Sequence, residues 1–273
     1  MAEQQYVSEL MPDRDVPGAF VVVTGATEQS WVDPEDPTRL EFDYVQRIAD
    51  ALDAVAPPGE RLRVVHIGGA GMTLPRYVAH TRPSSAQIVL EPDTALTEQV
   101  REQLPLGRRS GIKVRGTDGL AGIAAMPADY ADVVVLDAFV GGRVPPELTT
   151  REFFADVARV LVDGGTLMVN ITDHAPFDYG RRVLAGMAEH YPQLLISSEP
   201  ATLKGRRLGN VVILGSARPL PVEQLTRRAA GSAFPYRLLV GEPLQKWLRG
   251  SRPFTVEDPG SSPPPGGGLT HFS

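Results

Sequence analysis

The residues best placed to do chemistry gather around a glycine cluster. Arg63-Val64-Val65-His66-Ile67 is an apolar run that enters Gly68-Gly69-Ala70-Gly71, and a helical pattern leaves from about Leu74. This reads as a strand, a tight turn and a helix N-terminus. Glycines let a backbone approach a ligand with no Cβ in the way. The helix start offers unpaired N–H groups and a partial positive charge. Acids then stand at the ends of the next three strand-like runs: Glu91, Asp118 (followed by Gly119) and Asp137. In an open α/β sheet, ligands sit beyond the carboxyl ends of the strands. A carboxylate at Glu91 can accept from both hydroxyls of a ribose. Asp118-Gly119 can receive an adenine amino group, and Asp137 lies beside whatever the nucleoside carries.

The same residues narrow the ligand. Gly69-x-Gly71-x-x-Leu74 lacks the third glycine of the dinucleotide fingerprint, and no Gly-Lys-Ser/Thr of a phosphate-binding loop is present. Three nearby acids repel phosphate and favour a cation. A sulfonium nucleoside satisfies both conditions, which points to S-adenosylmethionine or its decarboxylated form as co-substrate. His66 lies inside a strand and reads as a core histidine. Trp31 and Trp247 read as packing residues. The histidines show no ligand spacing and there are no cysteines, so no metal is expected.

Alternating strand and helix patterns must position these groups. Strands are predicted at 63–67, 87–91, 112–115, 132–137 and 166–171, with helices over 74–80, 94–103 and 182–190. A capping box at Thr149-x-x-Glu152 opens another helix, with Phe153, Val157 and Leu161 as its stripe and Gly164-Gly165 as its stop. The near-continuous apolar runs suit parallel strands covered on both faces. The last two strands, 194–197 and 209–214, have no helical pattern between them and read as a hairpin, so the sheet ends antiparallel. Closing helices are expected over 221–230 and 242–248. The fold class is therefore α/β, a class I methyltransferase-like Rossmann sheet. Ahead of it, residues 19–24 and 27–32 read as a β-hairpin turning at Gly25. A helix is expected to start at Asp36-Pro37, with Leu40, Tyr44, Ile48 and Leu52 as its buried stripe.

The expected organisation is a flexible leader over 1–17, the hairpin-plus-helix module over 18–58 and the nucleoside-binding domain over 59–250. A disordered Pro/Gly/Ser-rich tail over 251–273 completes it. With 273 residues and 42% hydrophobic content the chain can bury a real core, and its net charge of −6 argues against nucleic-acid binding. The N-terminus has no apolar signal region and no run nears a membrane span of about 20 residues. With no cysteines, a cytoplasmic setting is expected.

Over roughly residues 25–215 the sequence resembles the spermidine synthase family, the polyamine aminopropyltransferases, and in particular spermidine synthase-like proteins of actinobacterial type. The resemblance rests on several segments together. These are Gln29-Ser30-Trp31-Val32-Asp33 with Asp36-Pro37-Thr38-Arg39-Leu40-Glu41-Phe42-Asp43-Tyr44, His66 through Arg76, Leu90-Glu91-Pro92-Asp93, and Leu136-Asp137-Ala138-Phe139 through Val144-Pro145 to Leu148-Thr149-Thr150-Arg151-Glu152-Phe153. It implies that Glu91 holds the ribose, Asp118 with Gly119 the adenine, and Gly68, Gly69, Ala70 and Gly71 the nucleoside tail, with Gln29 among the binding residues. It also implies that Asp137 orients and deprotonates an attacking amine. A homodimer built on the N-terminal hairpin edges is in keeping with it. Three positions depart from the family pattern. Ala70-Gly71-Met72 carries no acid for the aminopropyl amine, Leu40-Glu41-Phe42 replaces Tyr-His-Glu, and Val140 stands where a second Asp is usual. Losing an acid at the nucleoside tail opens the site to intact S-adenosylmethionine, with Arg76 as a distant partner for its carboxylate. Aminopropyl transfer is the first reading. A methyltransferase acting on a small molecule and a non-catalytic nucleoside-binding or scaffold protein are the alternatives.

Overall fold

A computed structural model describes residues 8–24 and 27–264. The chain opens with a three-stranded antiparallel sheet of β1 (Ser8–Pro12), β2 (Phe20–Thr24) and β3 (Thr27–Val32), in that order. The turn expected at Gly25 lies outside the described residues. Strand β1 falls within the stretch expected to be a loose leader. It pairs with β2 from Ser8↔Thr24 to Pro12↔Phe20, and buried Leu10 joins Val22, Val32 and Leu96 in a small core. Leu10 is the one buried side chain of this strand, and with Met11 and Pro12 exposed it shows no alternation to read. Helix α1 (Asp43–Ala54) follows, later than expected. Asp36 makes a local turn instead, its Oδ1 accepting from the Thr38 amide at 3.0 Å, a bond that competes with helix initiation.

The main sheet is built from β4 (Arg63–Ile67), α2 (Thr73–Thr81), β5 (Ala86–Leu90), α3 (Thr94–Gln103), β6 (Ile112–Arg115), α4 (Gly119–Ala124), β7 (Ala131–Leu136), α5 (Arg151–Val160), β8 (Leu161–Asp173), α6 (Asp178–Ala188), β9 (Gln193–Ser198), α7 (Pro200–Leu203), β10 (Gly209–Ser216), α8 (Val222–Gly231), β11 (Arg237–Leu239) and α9 (Glu242–Leu248). Its eight strands lie in the order β11-β9-β10-β8-β7-β4-β5-β6. Strands β4 through β8 are mutually parallel, and β10 runs antiparallel to both β8 and β9. This is the methyltransferase-like α/β architecture that the sequence implies; β9 and β10 pair antiparallel as expected, but the short helix α7 lies between them and an unexpected strand, β11, forms the sheet edge beside β9. Helix α5 is capped by Thr150, whose Oγ1 accepts from the Phe153 amide at 3.2 Å, not by Thr149. It stops at Val160, so Leu161 belongs to β8, which runs on through Gly164-Gly165.

The two faces of the sheet carry separate cores. Val65, Ile67, Val134, Leu136 and Val169 pack under α5 and α6, whereas Val64, Val133, Val135, Met168 and Val212 pack under α1 and α2. The period of two along each strand carries His66, Asn170, Thr172 and Asn210 onto the α1 face. Strand order reverses between β4 and β7, so the crevice at their carboxyl ends is the topological switch point where open α/β sheets bind ligands.

Residues 251–264, within the expected disordered tail, are folded onto the body. Phe254 is buried beside Tyr179 with ring centroids 5.4 Å apart, and the Arg182 guanidinium lies 4.0 Å above its ring centroid. A single aromatic anchor offsets a composition that otherwise favours solvent. Among the described residues no helix is long and apolar enough to cross a membrane.

Candidate active site

A cavity of about 530 Å³ occupies the switch-point crevice. The glycine turn forms its floor. Gly68 has φ +89°, and a Cβ there would fall 2.2 Å from the Asp137 carbonyl oxygen. The Asp137 amide donates back to the Ile67 carbonyl at 2.9 Å. Only glycine allows β7 to end this close to the turn. Ala70 (φ 38°) and Met72 (φ 63°) both adopt left-handed backbone, a conformation costly for residues with a side chain and frequent at functional sites. Gly68, Gly69 and Ala70 line the cavity. Gly71 is buried against the N-terminal sheet, where a Cβ would meet Val32 Cγ2 at 2.6 Å.

Glu91, just past β5, reaches under this turn. Its Oε2 accepts from the Gly69 amide at 2.9 Å and the Ala70 amide at 3.2 Å, and its Oε1 accepts from the Asp93 amide at 2.9 Å. A carboxylate has about four acceptor positions, so these three bonds leave capacity for one more, and Glu91 lines the cavity. The residue expected to hold a ribose therefore also shapes the loop. Asp118 is exposed at the N-cap of α4, accepting from the Ala121 amide at 2.8 Å through Oδ1, and lines the cavity with Gly119 and Gln29. At Gly119 a Cβ would come within 2.4 Å of Ile67 Cγ2, so this position is set by packing as much as by any ligand.

Asp137, half-buried just past the end of β7, lines the cavity. Burial raises its carboxyl from 3.8 to about 6, opposed by the Asn170 side chain, whose Nδ2 donates to Oδ1 at 2.9 Å. Asn170 accepts in turn from Asn210 Nδ2 at 3.1 Å, and the Asn210 carbonyl accepts from Ser198 Oγ at 2.8 Å. The carboxylate is thus held by a ladder of amides crossing β8 and β10. Sequence reasoning missed Asn170 and Asn210. The available signal was a lone Asn inside each apolar run, Leu167-Met168-Val169-Asn170-Ile171 and Asn210-Val211-Val212, because a buried amide in a strand needs partners. Beside them lies a second pocket of about 30 Å³, touched by Gln29, Tyr44, Phe139, Thr172 and Asn210. The Thr172 hydroxyl is buried there without a hydrogen-bond partner.

His66 is the core histidine that the sequence implies. Its Nε2 lies 2.9 Å from Gln87 Oε1, and burial lowers its pKa to about 4, so it is neutral at pH 7. Arg76 does not serve the cavity: its guanidinium is buried and donates to the Leu104 carbonyl. Glu91, Asp93, Asp118, Asp137 and Glu147 are carboxylates lining the cavity, and none of its described lining residues is Lys or Arg. At the end expected to take the nucleoside tail, Ser30 and Thr73 meet at 2.8 Å between hydroxyls. No group of His, Cys, Asp and Glu among the described residues could hold a metal.

The fold is an α/β sheet of the class I methyltransferase-like type with an added three-stranded N-terminal β-sheet, and the cavity lies at its switch point. No family model matches the chain. A polyamine aminopropyltransferase of Vibrio vulnificus (strain CMCP6) is 25% identical over 201 residues, covering 72% of this chain and 63% of that protein's length. A probable spermidine synthase from Corynebacterium glutamicum ATCC 13032 superimposes with a TM-score of 0.84 at 28% identity, covering 92% of this chain and 94% of the other. Spermidine synthase from Thermotoga maritima (TM-score 0.61, 16% identity, 90% and 85% covered) shares the fold. Human methyltransferase-like protein 13 in complex with SAH (0.51, 20%, 78% and 93%) shares it too. The chain is similar to these spermidine synthases in sequence and in fold.

Proposed function

We propose that this protein is a transferase that moves the aminopropyl group of decarboxylated S-adenosylmethionine to an amine, with Asp137 as the base. The observation that carries the reading is the cavity's charge: several carboxylates, one of them at a carboxyl pushed up to about 6, and no Lys or Arg among its described lining residues. Such a site draws in a sulfonium and an ammonium and gives the carboxylate of intact S-adenosylmethionine no cationic partner. When bound, the donor supplies an electrophilic carbon next to positively charged sulfur.

The chain's own residues supply the rest. Glu91, with the loop it organises, fixes the nucleoside, and Asp118 offers its free oxygen to the adenine. Asp137 is ionised at neutral pH, accepts a hydrogen bond from the incoming ammonium and takes its proton, so that the nitrogen lone pair can attack. As the new N–C bond forms the C–S bond breaks, its electrons return to sulfur, and a neutral thioether leaves. A base near the working pH balances proton affinity against availability. Holding Asp137 against the backbone of the glycine loop aligns nucleophile and carbon. The reading carries with it an amine acceptor, a cytoplasmic setting and a homodimer through the outer edges of the N-terminal sheet.

Methyl transfer from intact S-adenosylmethionine is the second reading, favoured by the neutral Ala70-Gly71-Met72 turn and the Ser30 and Thr73 hydroxyls near it. Calorimetric titration of the two donors, with Glu91→Ala as control, separates them. Preference for the decarboxylated form, followed by thioether release with a panel of primary amines and polyamines, is the expected result. Preference for the intact donor transfers the case to methylation. If neither donor binds or is consumed, both enzyme readings fail, and a non-catalytic role takes their place.

A further inference from the structure

The loop that follows Asp137 forms one wall of the cavity through Ala138, Phe139, Val140 and Gly141. Its tip is a two-residue turn: Val140 and Arg143 exchange backbone hydrogen bonds at 2.8 and 3.1 Å across Gly141 (φ 57°) and Gly142 (φ 73°). Positive φ at both central residues is the requirement of a type I′ turn. Beyond the tip the loop is tied to a segment 118 residues further along the chain. The Val144 amide donates to Ser262 Oγ at 3.0 Å. Arg143 Nη1 donates to Ser261 Oγ at 3.1 Å and to the Ser262 carbonyl. Ser262 is 1% exposed.

That distant segment is itself well anchored. The Arg151 amide donates to the Phe254 carbonyl at 2.9 Å. Gly260 lies so close to Phe254 that a Cβ would fall 2.2 Å from the ring. Arg182 donates to the carbonyls of Arg252 and Pro253 at 3.1 and 3.2 Å. The loop end is thus pinned at Val144, and its other end at the Asp137 amide.

We infer that residues 251–264 are a strap that positions the cavity wall beside Asp137, and that Ser262 is a positioning residue for the transfer. The inference rests on reading this cavity as the transfer site. Ser262 touches no reacting atom. It acts through Val144 and the loop, keeping Phe139 and Val140 in place and bulk water away from the base. A loosened wall admits water, which lowers the acid limb of the rate profile, and it weakens the grip on both substrates.

The test uses the full chain with Ser262→Ala and, separately, Arg143→Gln. Removing the Ser262 hydroxyl leaves a buried amide without a partner, so hydrogen exchange across residues 139–146 is expected to accelerate roughly tenfold or more. Acceptor KM and the Kd for decarboxylated S-adenosylmethionine should rise severalfold while kcat changes less, and the acid limb of kcat/KM should move to lower pH. Unchanged exchange in both variants overturns the strap. Faster exchange with KM, Kd and acid limb all unmoved overturns the positioning role. Should the wild-type chain bind neither donor, the functional reading fails by itself, and the exchange comparison still decides whether the strap holds the loop.

Discussion

Replacing Asp137 by asparagine should abolish transfer and at the same time make the protein more stable at neutral pH. The carboxyl titrates near 3.8 in the unfolded chain and near 6 in the folded one. Between those values the folded state holds more of the proton, so wild-type stability falls as pH rises through the window. The penalty is absent well below pH 3.8 and complete above about pH 7. At about 1.4 kcal/mol per tenfold, keeping Asp137 ionised costs the fold about 2–3 kcal/mol. Asparagine keeps an oxygen for Asn170 Nδ2 and carries no charge, so it relieves the penalty while leaving the ladder to Asn210 intact. The assay is urea unfolding of wild type and Asp137→Asn at pH 8, 6 and 4, with thermal melts alongside and no substrate present. The variant should gain about 2–3 kcal/mol at pH 8, or on the order of 5–10 °C in Tm. The gain should shrink below about 1 kcal/mol at pH 4. Equal stability at pH 8, or a gain of the same size at pH 4 and pH 8, would refute the argument that buried charge raises this group.

Further outcomes follow from the same contacts. Asn170→Ala removes the donor that favours the ionised carboxylate, so the acid limb of kcat/KM should move above about pH 6; a downward movement would show that the amide acts otherwise. Glu91→Gln loses acceptor capacity toward Gly69, Ala70 and Asp93, and donor Kd measured by calorimetry should rise by roughly ten- to a hundredfold, the weight of charge-assisted hydrogen bonds. Gly68→Ala sets a Cβ 2.2 Å from the Asp137 carbonyl at φ +89°, and chemical unfolding should register a loss of at least about 3 kcal/mol. Arg82→Met deprives the carbonyls of Leu52, Ala56, Pro57 and Glu60 of their buried donor, and thermal melting should drop by several degrees or more, corresponding to about 3 kcal/mol.

The parallel half of the sheet was legible because its strands are continuous apolar runs, and three acids could be placed because they end those runs. Glu91 and Asp137 both fall at the switch-point crevice for that reason. The rest was hidden for different physical causes. Strand β1 buries little beyond Leu10, so pairing with β2, and not its own pattern, makes it a strand. Leu40 keeps the four-residue spacing of α1 yet lies outside it, since Asp36 closes a local turn. The strap has a composition that promises disorder, and its buried anchors, Phe254 and Ser262, meet partners far away in sequence. Arg76 illustrates the reverse error. A cation one turn into the helix after the glycine loop suggests an anion partner, but its side chain is committed to the end of α3 at Leu104.

The close approach of Gly68 to Asp137 has a thermodynamic consequence. In the proposed reaction the loop assigned to the nucleoside and the carboxylate assigned to the proton meet backbone to backbone, with no side chain between them. They form a single rigid body whose internal geometry is settled during folding. Donor binding then has little left to order in this part of the protein, and its entropy penalty should be small. The larger ordering cost falls on the acceptor and the wall it meets, so acceptor affinity should be the more sensitive of the two to temperature, viscosity and changes far along the chain.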